Sequence, residues 1–291
     1  SYADPETAKK VAEEAVAAGV ITTNADNAFL TVAENRSAMV FNDWSDHRVG
    51  ADIISYMNGY ADPRREKMFT KGVWGNKVDF FGIRIGIDVA NKDTFVPAYS
   101  SPIVSEQSPF LWMNAAEVAF LRAEGALRGW NMGGEAKDFY NTAISLSFEQ
   151  YGVSDKAADY IANTSLKPAA YTDPISLHSD TGGPRSQITI AWEDGGVFER
   201  NLERIITQKW IAIFPLCVEA WSEFRRTGYP KLIPVVENKS GGTIDSNIMP
   251  RRLWYPPIEY SENSANLSSA VTNLLGGPDN GGTRLWWDKK P

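Results

Sequence analysis

Two histidines and one cysteine leave this chain little for covalent or metal chemistry, so carboxylates and aromatic rings are the side chains to weigh. Glu117 and Glu124 stand seven apart on one run of helical period. Two carboxylates held at a set separation are what hydrolysis of a glycosidic bond requires. The plainer role for both is a helix surface or an ion pair with arginines such as Arg122 and Arg128. His47 and His178 lack ligand spacing, and the chain holds no GxSxG, HExxH, CxxC or phosphate loop, so no metal or cofactor is expected. Cys217 cannot form an internal disulfide and reads as a small buried hydrophobe on an apolar stripe.

The aromatic residues say more. Ten tryptophans beside 11 tyrosines and 13 phenylalanines is a high share for the largest ring. Trp74 lies between Gly72 and Gly75 in a stretch without helical period, which predicts a surface loop, where binding residues concentrate. Trp44 is flanked by Asp43 and Asp46, whose carboxylates can accept hydrogen bonds from sugar hydroxyls. Tyr99 belongs to the same irregular region, 66–109. Flat rings beside hydrogen-bonding groups suit the apolar face and hydroxyl edge of a pyranose. Trp74, Trp44, Asp46 and Tyr99 are therefore the candidate ligand-binding residues. The competing role for either tryptophan is to pack its loop on the core.

The elements that must position these residues are mostly helical. Asp4-Pro5 caps a short helix ending at Gly19, and a second helix is expected at 48–57, closed by an Asp62-Pro63-Arg64 turn. Alternation in Phe81, Ile83, Ile85 and Ile87 predicts a ribbon around 79–88. Ala116, Ala119, Ala123 and Ala126 form a stripe that lets a partner helix approach closely. Ala136, Tyr140 and Ala143 then repeat a small–aromatic–small spacing, so 110–128 and 134–151 read as a tetratricopeptide-like hairpin. A short helix is expected at 155–162. The organising helix runs from Glu199 to Thr227, with a stripe of Ile206, Trp210, Ile213, Cys217, Ala220 and Phe224. Pro215 predicts a kink or break near Phe214, yet the stripe keeps phase, so both halves are expected to face one core. Gly228 is a left-handed cap and Pro230 prevents resumption. The fold class is thus mainly all-α, with long irregular loops and minor β-structure. Trp286 and Trp287 are expected to pack the tail onto the body.

A net charge of −7 argues against a nucleic-acid partner, because phosphate binding needs a basic footprint. No apolar run reaches 18 residues, so no membrane-spanning helix is expected.

Several stretches together resemble one family. LWMNAAEVAFLRAEGALRGW at 111–130, TQKWIAIFPLCVEAWSEFRRTGYPKLIPV at 207–235, RLWYPPIEY at 252–260 and RLWWD at 284–288 are similar to motifs of the SusD/RagB family. These are nutrient-binding lipoproteins of the Gram-negative outer membrane. The resemblance implies a tetratricopeptide-like scaffold and non-catalytic binding of a glycan or other nutrient at the cell surface. It implies delivery to a TonB-dependent, SusC-like transporter as partner, and a membrane tether only through an N-terminal lipid anchor, absent from this chain. Family members are longer, so residues 1–291 are expected to form a single SusD-like domain from the C-terminal portion of a longer protein. The motifs belong to the scaffold and do not report the ligand. Two other readings stand beside this one: a glycoside hydrolase on a helical scaffold, and a solenoid that binds only protein, against which the aromatic-rich loops argue.

Overall fold

Asp4 accepts from Thr7 N at 3.0 Å and starts the first helix with Pro5 in its first turn. The computed structural model describes residues 1–291 except 90, 176, 177 and 291. In chain order the described elements are α1 (Pro5–Ala18), β1 (Ala28–Leu30), α2 (Arg36–Ala38), α3 (Ala51–Gly59) and α4 (Arg65–Met68). Then come β2 (Gly72–Trp74), β3 (Lys77–Asp79), α5 (Lys92–Ala98), β4 (Phe110–Met113), α6 (Ala115–Leu127), α7 (Ala136–Gln150) and α8 (Ala157–Ile161). The chain finishes through α9 (Phe198–Ala212), α10 (Cys217–Thr227), α11 (Pro257–Glu262) and α12 (Ser264–Ala270). The strands make two small antiparallel pairs, β1 with β4 and β2 with β3.

The hairpin is α6 and α7, and α9 lies against both. Ala116, Ala119 and Ala123 are buried on α6, and Tyr140 and Ala143 on α7, as their spacing requires. With only methyl groups on one side, the helices close on a layer of larger rings. Phe120 meets Tyr140 edge to face at 6.1 Å, and Tyr140 donates its hydroxyl to Ile190 O at 2.6 Å. Asn114 caps α6 by accepting from Glu117 N and donates to Ala212 O at 3.1 Å, tying the hairpin to the end of α9.

The Asp62-Pro63-Arg64 turn buries both of its charged side chains. Arg64 pairs with Asp62 at 2.5 Å with both side chains fully buried. Arg64 also donates to Ser147 Oγ on α7 and Gln208 Oε1 on α9, while Tyr160 of α8 donates to Asp62. One turn therefore joins three helices.

The organising helix departs from its expected form. It breaks at the cis Phe214-Pro215 bond into α9 and α10, and Gly228 closes α10 at φ 72°. The break is where proline was expected to put it. The stripe stays on one side across the break, but that side does not face a closed core throughout. Ile206 and Ile213 are buried, but Cys217 begins α10 and is exposed, which corrects its assignment as a buried hydrophobe. Between the halves the bonding tightens, with Ile213 N donating to Lys209 O at 2.9 Å and Leu216 N to Ile213 O at 2.8 Å. Trp210, Ile213, Cys217, Ala220 and Phe224 instead line one apolar groove of about 370 Å³. Trp210 is only partly buried and meets Tyr56 edge to face at 5.5 Å. Trp210→Ala is therefore expected to cost ~2 kcal/mol, less than the ~3–5 of a fully enclosed aromatic. Urea unfolding checks this, and a loss above ~4 kcal/mol would put the ring in the core after all.

Two further expectations are corrected. The strand expected at 79–88 is shorter and earlier, Lys77–Asp79, with a single bridge between Ile83 and Gly50. Of the two tail tryptophans, Trp287 stacks on Arg225 at 4.8 Å, whereas Trp286 is 72% exposed. Asp288, buried against Arg251 at 2.5 Å, and Lys290, paired with Glu199 at 2.6 Å, also hold the tail.

Candidate functional site

The seven-residue helix α5 organises the loops that hold the candidate residues. Asn91 caps it, accepting from Thr94 N at 2.9 Å. At its first turn Lys92 Nζ donates to Trp44 O at 2.8 Å and pairs with the Asp46 carboxylate. Ser45, between them, has φ 54°. That left-handed residue turns the chain so that carbonyl 44 and carboxylate 46 reach the same ammonium. Trp44 remains 53% exposed. Asp46, His47, Arg48, Ile83, Lys92 and Phe95 surround a cleft of about 470 Å³ beside it.

The far end of α5 holds the second tryptophan. A side chain at Gly72 would come within 2.2 Å of Ala98 O, so only glycine lets β2 lie against the end of this helix. The hairpin it starts carries Trp74, 37% exposed and opposite Lys77, and turns at Gly75 with φ 58°. Phe80 anchors the hairpin under the cations of Arg65 and Lys71 at 5.3 and 5.4 Å. The elements bearing Trp44 and Trp74 thus meet opposite ends of a helix about 10 Å long.

Tyr99 is placed differently from the expected loop surface. It is 2% exposed and donates its hydroxyl to Asp173 at 2.7 Å, in a cluster with Phe95 and Ala98. Burial, then the adjoining carboxylate, pushes its phenol far above the usual range. It holds the end of α5 to the 173 loop and offers no face to solvent. Sequence reasoning missed α5 itself and with it Lys92. Seven residues are too few for periodicity to register, although Asn91 three before Thr94 is a capping signal.

The two carboxylates on α6 are committed elsewhere. Arg226 grips Glu124 with two contacts of 2.6 Å, and Arg128 adds one at 2.9 Å. Although burial opposes ionisation, these cations hold the Glu124 carboxyl down at about 2. It is ionised at neutral pH and has no proton to give. Glu117 lies 3.4 Å from Lys209 and is 4% exposed. Burial, only partly offset by Lys209, pushes its carboxyl up. The pair is scaffold, with Arg128 and Arg226 as partners for Glu124, while Arg122 donates to Met132 O.

The helical hairpins with short strands and long aromatic loops define a tetratricopeptide-like scaffold. A family model described as SusD-like, the SusD and RagB outer membrane lipoproteins, matches residues 1–288, and the chain belongs to that family. Among solved structures, a SusD homologue from Bacteroides thetaiotaomicron is 54% identical with a TM-score of 0.93, covering 98% of this chain and 61% of its own. One from Bacteroides uniformis is 45% identical with a TM-score of 0.93 over 98% of this chain and 61% of that one. A chitin-binding SusD homologue from Flavobacterium johnsoniae is 44% identical with a TM-score of 0.88, covering 98% of this chain and 59% of its own. The chain thus spans about three-fifths of the length of these relatives. A search of the curated proteins finds no match. Among the described residues no helix is long and apolar enough to cross a membrane.

Proposed function

We propose that this chain is part of a cell-surface glycan-binding protein that passes its ligand to a TonB-dependent, SusC-like outer-membrane transporter and does no chemistry on it. The observation that carries this reading is the family match over residues 1–288; the chitin-binding relative lends it a ligand class. The tether to the outer membrane is an N-terminal lipid on the longer protein, in keeping with the family's description as lipoproteins. Ligand contact is assigned to Trp44 and Asp46 at one end of α5 and to Trp74 at the other. Tyr99 acts behind them as a positioning residue. Asp46 has acceptor capacity left after its pairing with Lys92, since a carboxylate offers about four lone-pair sites. Neutral polysaccharides such as chitin fit the acidic net charge of −7 better than polyanions do.

The test joins affinity gels with a reducing-sugar assay over soluble chitin, xylan, mannan and β-glucan. Retardation by at least one polymer, with no rise in reducing ends, is the expected result. Trp44→Ala and Trp74→Ala should keep the parent's melting temperature, because both rings are exposed. Each should bind about three- to tenfold more weakly, the scale of one lost stacking contact. Release of reducing ends in proportion to protein would replace this reading with a hydrolase. Free migration through every gel would remove the glycan altogether.

A further inference from the structure

A second aromatic cleft lies in the C-terminal third, far along the sequence from α5. Trp254, Tyr255 and Tyr260 line a concavity of about 570 Å³ with Thr243, Asp279 and Asn280. Trp254 is 63% exposed and Tyr260 53%. Rings of that size stand open to water just after two buried arginines, Arg251 and Arg252.

The rings are held in place. Arg251 is buried, pairs with Asp288 and accepts Arg225 Nη1 on its carbonyl at 3.0 Å. Arg252, also buried, pairs with Asp279 and stacks on Tyr255 at 4.8 Å. These two ion pairs fasten the backbone immediately before Trp254. Asp279 receives the Tyr255 backbone N–H at 3.3 Å and the Tyr260 hydroxyl. Its carboxylate therefore orients one ring through the backbone and another through its phenol. The opposite wall is equally constrained. A side chain at Gly282 would fall within 1.9 Å of Thr243 O, so the 240–243 loop lies directly on the glycine turn. Asn280 Oδ1 stabilises that turn by accepting from Gly282 N and Thr283 N at 2.9 and 3.1 Å. Thr243 donates to Ser240 O at 2.9 Å, leaving its hydroxyl oxygen to accept.

We infer that this cleft is a second saccharide subsite, in which a pyranose stacks on Trp254 and Tyr260 while Thr243 and Asn280 meet its hydroxyls. The inference rests on the glycan-binding reading above and extends it to a new place. Three features favour a sugar. The rings stand in a concavity of small-ligand size, ~300–1,000 Å³. They are fixed before any ligand arrives, so little ordering entropy is lost on binding. The walls offer short hydroxyl and amide groups beside the rings, which suits a ligand with one apolar face and a polar edge.

Calorimetric titration with chitohexaose and cellohexaose, on the chain and on three variants, tests it. Gel filtration of each sample runs alongside. Trp254→Ala should leave the melting temperature unchanged and weaken binding about tenfold. Tyr260→Phe keeps the ring but cuts its tie to Asp279, and should weaken binding about fivefold. Trp286→Ala, an equally exposed ring elsewhere, should bind like the parent. If the parent binds and both cleft variants match it, the cleft is not a subsite, while the glycan reading stands. If the parent binds neither oligosaccharide, the subsite falls, and the affinity gels above decide the glycan reading separately. If Trp254→Ala instead converts a self-associated parent into monomer, the exposed ring serves a protein contact and the subsite is overturned.

Discussion

Arg64→Leu is expected to cost ~3–5 kcal/mol of folding stability, one of the two largest losses from a single polar change in this protein. Arg64 and Asp62 are both fully buried, and water cannot replace a missing partner. With the guanidinium gone, the Asp62 carboxylate keeps only the Tyr160 hydroxyl at 3.0 Å and the local N–H of residue 64 at 2.9 Å. Ser147 and Gln208 lose their contacts with Arg64 at 2.8 and 3.2 Å, and the Phe148 ring loses the cation 4.8 Å above it. The loss thus spreads over α7, α8 and α9. A double-mutant cycle with Asp62→Leu separates the pair from its surroundings. Leucine at both positions should cost less than the sum of the single changes, since no unpaired charge then remains. Guanidinium unfolding of the four proteins measures this. A single-variant loss below ~1 kcal/mol would mean that water reaches the turn.

How much of this was legible in the sequence depended on the range of the forces involved. The hairpin was readable because Ala116, Ala119 and Ala123 and the Tyr140 pair act within helices, where spacing maps directly onto a face. The break at Pro215 was readable because proline's restriction is local. What the stripe faces beyond the break was not. Cys217 continues the apolar count, but the count does not tell a closed core from the open groove that α9 and α10 share. The short α5 was lost because seven residues hold less than two full turns of pattern. That loss also decided the site. Without α5, Trp44, Asp46 and Trp74 appear as isolated loop residues, and nothing local says that Lys92 ties the first two together or that Gly72 admits the third. Tyr99 failed for the complementary reason: its burial depends on Asp173, 74 residues away. The C-terminal cleft was missed because the aromatics at 254–260 read as family scaffold, and the role of Asp279 lies in a contact 19 residues away in sequence, across α12.

Lys209→Met should produce the other large loss, and its dependence on pH distinguishes it from an ordinary packing defect. Lys209 is 1% exposed and stands between Glu219 at 2.9 Å, Glu223 at 3.2 Å and Glu117 at 3.4 Å. Burial alone would favour its neutral form, but these three carboxylates hold its ammonium group well above the usual range. Methionine fits the apolar stem and removes the charge. Glu117 then has no cation beside it, and Glu223 keeps only Arg226 at 2.5 Å. At pH 7.5 the expected cost is ~3–5 kcal/mol, that of leaving buried charge uncompensated. Mild acid should favour the variant more than it favours the parent. In the parent, Arg226 and Arg128 depress Glu124 to about 2 from the usual 4.5, so its contribution is complete above 4.5 and declines as pH falls towards 2. In the variant, Glu117 is pushed up by burial with no Lys209 to offset it. A carboxyl raised in the folded state contributes most below the unfolded value and loses that contribution as pH rises through the folded one. Lowering the pH from 7.5 to 5 should therefore narrow the gap between the two proteins. Urea unfolding at both values measures it. A gap that stays constant would show that the methionine variant suffers from shape alone and that Glu117 does not depend on Lys209 for its charge.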